Sequence, residues 1–538
     1  MATNTMTPDT ASLSSTPAER TYRRRIWAWA AYDVADHAYF TTFASAFFPQ
    51  YFVAIAWAAF VAGPGGVVFS EAQARDIASN NYAFATSLAL LLAALIAPIL
   101  GTYADITGRR KRLLIVITIL GGIVSSSAFV LVTGMWELAL VIYIITQIAI
   151  NMAFGLISSL LPHVARADDV NRVSSLGYAM GYIGGGILLL LNTILFIAAS
   201  NNMIPSIDSS MAVRIAFFTV GIWWIGWMIP TARGVPEPPA TPLAHDATGN
   251  AIRDTFTRIG HTLRDIQRYR ELFKMLIAFW LYSEGIGAII LLASAYGAAL
   301  GIGSTILIGT LLMTQFVAFP YALIFGRIAD PTSKWRSMFV SMLIWTAVTI
   351  TLFGIYVNLT SATPTDISIA TTFEFLAADQ LLGLFLSYIL GRHLFKGLTD
   401  WLDPKRAVIL GLIIYIIIPI WGFFLKTQAE FFFIGWMVGT VQGGTQALSR
   451  AIYADLSPRA KSGEFFGLYG LSEKFAGILG PLLYGIVGAI TLNPRASVFS
   501  ISIFFVLGIL MLQRVDVKKG TESAEAEEAQ IEQLHAAD

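Results

Sequence analysis

Long apolar stretches separated by short polar ones run along almost the whole chain of 538 residues. Residues 81–103 and 113–133 are typical, because each is long enough for a helix to cross the roughly 30 Å hydrocarbon core of a bilayer. The same alternation predicts fourteen membrane-spanning helices in all. We expect them near residues 27–55, 81–103, 113–133, 137–161, 173–199, 213–231, 272–299, 304–326, 336–358, 375–391, 407–425, 431–453, 464–490 and 495–513.

The composition supports the same class of protein. Hydrophobic residues make up 56% of the chain and charged residues only 13%, and the mean hydropathy is +0.67. A soluble protein of this size needs more polar residues to cover its surface, so we expect an all-α polytopic membrane protein. The chain has no cysteine, which excludes disulfides, thiolate nucleophiles and cysteine-based metal sites.

Lysine and arginine are concentrated in alternate loops. Arginines cluster before the first predicted span, and four consecutive cations occupy residues 109–112. The loops expected on the opposite side hold only Arg75, Arg214, Lys426 and Arg495. The positive-inside rule then places both termini in the cytoplasm, and we expect a multi-pass protein of a bacterial-type plasma membrane.

A polar stretch divides the predicted spans into six and eight. We expect a disordered tail at 1–22, an N-terminal six-helix bundle at 23–231, a cytoplasmic linker at 232–271, a C-terminal bundle at 272–516 and an acidic disordered tail at 517–538. Apolar residues at steps of three and four within the linker predict an amphipathic helix on the membrane surface. Two six-helix bundles leave one pair of spans over, which we place in an inserted hairpin at about 336–392.

A charged turn separates the second and third predicted spans. Its spacing, Gly-x-x-x-Asp-x-x-Gly-Arg-Arg, resembles the loop between spans 2 and 3 of major facilitator superfamily transporters. It is carried by Gly101, Asp105, Gly108, Arg109 and Arg110. An ordinary positive-inside loop needs the cations but neither the glycines nor the aspartate. The resemblance implies that Asp105 and Arg109, together with Arg450, form a cytoplasmic gate that latches the two bundles.

Further blocks in both halves narrow the resemblance. They are Ala31–Tyr39, Phe48–Phe52, Gly177–Gly186, Leu281–Gly285, Gly443–Arg450, Gly463–Tyr469 and Leu479–Leu483. Together they resemble the Atg22-like (vacuole effluxer) family of the major facilitator superfamily, and the block at 443–450 is the most specific. The resemblance implies the major facilitator fold and a secondary transporter. Family members in fungal vacuoles are associated with amino-acid efflux.

Ionisable side chains inside predicted spans are the first candidate functional groups, because an uncompensated charge there costs at least about 2.5–3.5 kcal/mol. Asp33, Asp36 and His37 share one helix face at steps of three and four. The rise of about 1.5 Å per residue places Asp36 near the middle of span 1, and Glu284 is similarly deep in span 7. These spans are equivalent in the two bundles. We therefore expect Asp36 and Glu284 to face each other across a central cavity that binds solute and protons.

Alternative roles remain open for this set. Asp33 can pair with Arg450 or Lys474 instead of binding solute. His37 can be a hydrogen-bonded core histidine instead of a proton carrier. Glu284 can pair with Lys474 or with an amine of the solute.

The second half of the chain adds five polar residues: Gln442, Gln446, Arg450, Glu473 and Lys474. Gln442 and Gln446 lie one turn apart on one helix face, which suits hydrogen bonding to a solute. Glu473 and Lys474 are adjacent and point to different sides, so one can line the cavity while the other pairs within its wall. Polar contacts between helices are the alternative explanation for such residues.

Motifs of other protein classes are absent from the sequence. It has no Gly-x-x-x-x-Gly-Lys-Ser/Thr loop, no His-Glu-x-x-His and no Gly-x-Ser-x-Gly, so we expect neither an ATP-driven pump nor an enzyme. We expect no cofactor, no metal and no nucleic-acid partner. The sequence predicts a monomeric transporter of a small polar solute, an amino acid, coupled to protons or another ion. A sugar-type symporter and a non-transporting membrane sensor are the alternatives.

Overall fold

The computed structural model describes residues 17–61, 70–240, 257, 269–300, 302, 304–360, 369–475, 477–491 and 493–537. Within these ranges every regular element is a helix, which confirms the all-α prediction. The predicted amphipathic linker helix and the loop of the predicted hairpin lie almost entirely outside the described residues. So does most of the N-terminal tail predicted at 1–22, although residues 17–22 already belong to the first helix.

The first half of the chain forms a set of long helices and one short one. They are α1 (Pro17–Ala38), α2 (Phe48–Val61), α3 (Glu71–Thr107), α4 (Arg110–Ser127), α5 (Trp136–Ser159), α6 (Leu161–Val164), α7 (Val170–Ser200) and α8 (Ser209–Gly234). The chain between α1 and α2 stays helical, because Tyr39–Phe47 forms a π-helical segment.

The second half follows with more helices, some of them short. They are α9 (Arg270–Ala299), α10 (Ser304–Ala329), α11 (Arg336–Thr360), α12 (Ile369–Leu394), α13 (Lys396–Trp401), α14 (Pro404–Phe424), α15 (Gln428–Asp455), α16 (Ser462–Phe475), α17 (Leu479–Thr491), α18 (Pro494–Ser500), α19 (Ser502–Gln513) and α20 (Val517–Ala537).

Within the described residues, eleven helices are long and apolar enough to cross a membrane. The predicted spans 27–55, 431–453 and 464–490 are not among them, although each coincides with helical structure. These three contain most of the polar residues named above, including Asp33, Gln442 and Glu473. Helices that are polar in an otherwise apolar bundle are the first place to look for function.

Helices from the two halves pack against each other in pairs. Helix α3 packs against α16, and α7 packs against both α10 and α15. One close approach is between Gly101 on α3 and Gly463 on α16, where a Cβ on Gly101 would overlap the carbonyl oxygen of Gly463. This contact lies at the end of the molecule that carries the loop 101–112, which we call the motif end.

The predicted span at 464–490 is interrupted. Helix α16 ends at Phe475 and α17 begins at Leu479, so the second helix has its own N-terminus inside the bundle. Gly477 and the pair Gly480-Pro481 mark the break in the sequence, since proline fits only the first turn of a helix without loss of a hydrogen bond. Hydropathy alone does not reveal it, because the apolar run continues through the break.

The acidic tail is a helix, and the prediction of disorder at 517–538 is wrong. Glu527 on α20 accepts hydrogen bonds from Lys461 Nζ at 2.7 Å and from the Tyr269 hydroxyl at 3.1 Å. Glu528 accepts from the Ala460 N–H at 3.1 Å. These contacts with the motif end hold Glu527 and Glu528, two of the acids that composition alone assigned to solvent.

The predicted hairpin region contains α11 and α12, packed side by side. Asp379 lies within α12 and is buried. Its carboxylate accepts hydrogen bonds from Trp345 Nε1 at 3.2 Å and Thr349 Oγ1 at 3.1 Å, both on α11. Polar contacts of this kind join helices where no water is available. Assignment of the hairpin as an insertion stays a prediction.

Candidate functional site

An arginine and an aspartate from different halves of the chain meet in the interior. Arg450 on α15 donates from Nη2 to Asp33 Oδ2 at 2.9 Å and from Nη1 to Asp33 Oδ1 at 3.4 Å. The two side chains are 0% and 2% exposed. Removing one member of a buried ion pair costs about 3–5 kcal/mol, because the other charge is left uncompensated. The pair therefore ties α1 to α15 strongly.

Helix α7 completes the surroundings of the arginine. Arg450 donates from Nε to Ser174 Oγ and from Nη2 to the Ser174 carbonyl oxygen, both at 3.0 Å. Its guanidinium lies 4.8 Å from the Trp29 ring centroid and 4.3 Å from the Tyr178 ring centroid. Arginine stacks favourably on aromatic faces because its charge is delocalised and weakly hydrated. The site thus holds the cation of α15 between two other helices, α1 and α7.

Asp36 and His37 continue the polar face of α1. Asp36 is buried, and His37 is partly buried. His37 Nδ1 lies 3.0 Å from the carbonyl oxygen of Asp33. Because a carbonyl can only accept, this contact needs the proton on Nδ1 and leaves Nε2 as the acceptor of the neutral ring. The imidazole also packs edge-on against Tyr182, at 4.8 Å between ring centroids.

Two glycines of α7 make room for this face of α1. A Cβ on Gly177 would overlap the Asp33 carboxylate, and a Cβ on Gly181 would overlap the His37 ring. The glycines therefore allow α7 to lie directly on the charged residues. This close packing keeps Asp33 and Arg450 away from lipid.

The two glutamines of α15 behave differently from each other. Gln446 accepts a hydrogen bond from the Tyr182 hydroxyl at 2.7 Å, which joins α15 to α7 beside His37. Gln442 is buried one turn away. The side chains of Glu473 and Lys474 lie outside the described part of the structure. That these residues line a solute cavity stays a prediction.

Glu284 lies at the break between α16 and α17. Its Oε2 accepts from the Gly480 N–H at 2.9 Å, and its Oε1 accepts from Trp280 Nε1 at 3.1 Å. The side chain is fully buried. An anion is favoured at a helix N-terminus, where backbone N–H groups lack partners. The partners found for Glu284 thus belong to its own half, and its expected opposition to Asp36 stays a prediction.

A second contact between the halves lies at the motif end. Both oxygens of the buried Asp105 carboxylate accept hydrogen bonds from the first turn of α16, at 3.0 Å from the N–H of Gly463 and 3.0 Å from the N–H of Glu464. Asp105 on α3 therefore caps a helix of the other half. Burial makes such charge-assisted hydrogen bonds strong.

The cation beside Asp105 is Arg110, not Arg109. Arg110 is buried and donates from Nε to Asp105 Oδ1 at 2.5 Å, and from Nη2 to the Ala460 carbonyl oxygen at 3.1 Å. Arg109 is exposed and occupies the turn before α4. Gly108 has a φ of +60°, a conformation that glycine adopts readily and that turns the chain so that Arg110 points inward.

Several residues of this site were not singled out in the sequence. Ser174, Tyr178 and Tyr182 hold Arg450, His37 and Gln446 from α7, and His163 lies 2.6 Å from Arg110 Nη1. Tyr178 and Tyr182 are one turn apart and alternate with the glycines of the Gly177–Gly186 block. That spacing indicates one shared helix face.

Among the described residues, no group of three or more His, Asp or Glu side chains is arranged to hold a metal ion.

A family model described as "Vacuole effluxer Atg22 like" matches residues 21–398 and 380–525. A protein of Bacillus subtilis (strain 168), "Uncharacterized MFS-type transporter YxiO", is 28% identical over 496 residues, which cover 92% of this chain and 95% of that protein. "Autophagy-related protein 22-1" of Aspergillus clavatus is 22% identical over 384 residues, 68% of this chain and 52% of that protein. This chain thus spans about half the length of the fungal relative.

Solved structures agree on the fold. The MFS proton:xylose symporter XylE bound to 6-bromo-6-deoxy-D-glucose superposes with a TM-score of 0.58 at 11% identity, over 94% of this chain and 99% of that one. The MFS transporter FucP in the outward conformation gives 0.57 at 10% identity, over 92% and 98%. The protein is therefore a multi-pass membrane transporter with the major facilitator fold, and the chain belongs to the Atg22-like family.

Proposed function

We propose that the protein moves a small zwitterionic solute, an amino acid, by alternating access coupled to protons. The observation that carries this proposal is the fully buried ion pair between Asp33 and Arg450, one residue from each half of the chain. Opening the motif end separates the two halves, so this pair must break in every cycle. Something must then compensate both charges.

An amino acid carries both of the charges that are needed to compensate Asp33 and Arg450 when the pair breaks. Its carboxylate matches the guanidinium of Arg450, which is planar and suited to bidentate pairing. Its ammonium matches Asp33, with Asp36 three residues away on the same helix. A solute that supplies both charges replaces each half of the ion pair. A sugar can hydrogen-bond to these groups but leaves both charges uncompensated.

A proton can neutralise one of the two charges. Protonation of Asp33 neutralises one member of the pair and leaves Arg450 free for the solute carboxylate. A carboxylate that is exposed alternately to two compartments carries one proton per cycle. Solute movement is then coupled to proton movement, because the two halves separate only when neither Asp33 nor Arg450 is left with an unpaired charge.

The test is a thermal-stability screen of detergent-solubilised protein, because a ligand of the folded state stabilises it by RT ln(1 + [L]/Kd). We expect amino acids, but not sugars or neutral osmolytes, to raise the melting temperature. Asp33→Asn should abolish the shift and lower the stability. The double variant Asp33→Asn with Arg450→Gln should recover stability but not binding, since no buried charge remains. Asp379→Asn, which alters another buried carboxylate, is the matched control and should keep the shift.

Transport in proteoliposomes decides between the alternatives. Uptake of the stabilising amino acid under an imposed proton gradient supports the proposal. Stabilisation and uptake by sugars alone would instead identify a sugar-type symporter. No movement of any stabilising solute would identify a membrane sensor, and the proposal of transport coupled to protons would then be wrong.

A further inference from the structure

A cavity of about 870 Å³ opens at the motif end, away from the Asp33–Arg450 pair. One wall is the start of α1, another is the segment 162–167, and Arg459 of the second half closes it. The volume is in the range of small-molecule sites, about 300–1,000 Å³.

The walls of this cavity are positively charged. Arg25, Arg166 and Arg459 line it together with His163, and no acidic side chain is among the described lining residues. Arg166 is already engaged, because it pairs with Glu19 at 3.2 Å, just outside the lining. The hydrogen bonds found for Arg459 involve its backbone carbonyl oxygen, and its guanidinium is attracted electrostatically by the Asp455 carboxylate. An anion in the cavity would pair with the guanidinium of Arg25 and compete with Asp455 for that of Arg459, since arginine pairs best with carboxylate or phosphate.

The cavity lies at the level expected for lipid headgroups. Trp27, two residues after Arg25, is 55% exposed, and tryptophan is enriched where a membrane protein meets the interface. Phosphate groups are the anions concentrated at this level. A basic pocket between membrane helices on the cytoplasmic side is suited to an anionic headgroup.

The cavity is complete only while the two halves are in contact. Arg25 and Arg166 come from the first half and Arg459 from the second. The backbone of Arg459 is held in place across the halves, because its carbonyl oxygen lies 3.4 Å from Arg110 Nη2 and 3.0 Å from His163 Nε2. Opening of the motif end removes Arg459 from the cavity. A ligand that contacts all three arginines therefore binds the closed state more tightly and shifts the population toward it.

We propose that this cavity binds a phosphate-bearing anion of lipid-headgroup size and that the bound anion holds the motif end closed. Binding can be measured without transport, so the proposal stands or falls apart from the identity of the transported solute. A phospholipid and free phosphate share this chemistry, and the test must separate them.

The binding test uses purified full-length protein in neutral detergent and three probes: dioctanoyl phosphatidylglycerol, dioctanoyl phosphatidylcholine and sodium phosphate. We expect phosphatidylglycerol to raise the melting temperature of the parent protein. The shift should fall at least severalfold in Arg25→Gln and in Arg459→Gln. Arg24→Gln removes the same charge from an exposed neighbour outside the cavity, so it should respond like the parent. A shift by sodium phosphate that is lost in the same two variants assigns the site to free phosphate.

The conformational test uses one introduced cysteine in this cysteine-free chain. Gly155 on α5 is buried, and a Cβ there would lie 3.6 Å from the Phe466 carbonyl oxygen on α16. Gly155→Cys therefore fits when the halves are closed and reacts with a maleimide when they part. At about ten times its Kd, an anion bound only by the closed state should slow labelling roughly tenfold.

Two results would overturn the proposal. One is an unchanged phosphatidylglycerol response in Arg25→Gln and Arg459→Gln, or an equal response to phosphatidylcholine in the parent. The other is tight phosphatidylglycerol binding that leaves the labelling rate of Gly155→Cys unaltered, which would remove the link to the closed state.

Discussion

At the scale of single residues, each charge that joins the two halves compensates a charge or dipole on the other side. Asp105 accepts from two N–H groups of α16, and Arg450 pairs with Asp33. Neither contact can be released without leaving a buried polar group unsatisfied, which costs more than an average hydrogen bond contributes. The closed motif end therefore has two layers, one at Asp105 and one at Arg450.

The sequence allowed part of this arrangement to be predicted. The resemblance of the charged turn implied that Asp105 belongs to a gate between the two bundles, and Arg450 was one of two cations considered for Asp33. The choice of Arg110 over Arg109 depends on the direction of the turn at Gly108. The choice of Arg450 over Lys474 depends on how deep α15 lies beside α1. The spacing of residues along one helix gives neither the direction of a turn nor the depth of a neighbouring helix.

The first prediction concerns Asp105→Asn, measured with the Gly155→Cys reporter. Asparagine keeps one acceptor oxygen but loses the charge, so the contacts with α16 and Arg110 weaken. Hydrogen bonds to charged groups contribute about 1.5–3 kcal/mol, and about 1.4 kcal/mol is a factor of ten. We expect maleimide labelling to become roughly 10- to 100-fold faster.

Glu237→Gln is the control for this prediction. Glu237 also accepts from the first turn of a helix, at 2.7 Å from the Lys111 N–H and 3.1 Å from the Arg112 N–H, but it stays within the first half. Glu237→Gln should leave the labelling rate of Gly155→Cys unchanged. Equal labelling rates for Asp105→Asn and the parent would show that Asp105 does not hold the halves together.

At the scale of elements, helix interruptions and helix ends determine where polar groups collect. The break between α16 and α17 exposes N–H groups that Glu284 satisfies, and the π-helical Tyr39–Phe47 follows directly after Asp36 and His37. Periodicity predicts that a helix is present, but these interruptions depend on backbone hydrogen bonds that a hydropathy pattern does not record. The tail α20 was missed for a related reason, since Glu527 and Glu528 have hydrogen-bond partners distant in sequence.

The second prediction concerns Glu284→Gln. Glutamine offers one acceptor oxygen and adds an N–H donor, so the Gly480 N–H and Trp280 Nε1 cannot both be satisfied as before. We expect a loss of about 1–3 kcal/mol in stability, part of it from the lost charge at the N-terminus of α17. Asp379→Asn is the comparison, because Asp379 also accepts from an indole N–H but does not cap a helix. It should cost less.

The same variant tests a role in proton coupling. If Glu284 carries the proton, Glu284→Gln should abolish accumulation driven by a proton gradient while solute exchange continues. The pH dependence of uptake in proteoliposomes measures this directly. Normal gradient-driven uptake by the variant would limit Glu284 to its structural role at the helix end. Asp33, the carboxylate of the ion pair, would then be the candidate proton carrier.

At the scale of the whole molecule, the position of each loop follows from contacts at the motif end. Arg336 at the start of α11 hydrogen-bonds to the carbonyl oxygens of Ile328 and Leu402, so α13 lies at the same end as the start of α11. Lys405 then reaches the Val515 carbonyl oxygen at 2.8 Å. Helices α11 and α12 therefore leave this end and return to it. The distribution of lysine and arginine predicted the same orientation, because an inserted pair of spans leaves every later loop on the same side of the membrane.

The last prediction concerns which side each loop faces, and the cysteine-free chain permits it to be tested in intact cells. Gly397→Cys lies on α13, where an added side chain meets nothing within 4 Å. Met203→Cys replaces a side chain that is 73% exposed between α7 and α8. Since the positive-inside rule predicts that the motif end faces the cytoplasm, a membrane-impermeant maleimide should label position 203 in intact cells and position 397 only after permeabilisation. Labelling of position 397 from outside, with 203 also labelled, would mean that the region 336–392 crosses the membrane an odd number of times. The ion pair, the motif end and the anion cavity would keep their geometry, but the assignment of both termini to the cytoplasm would fail.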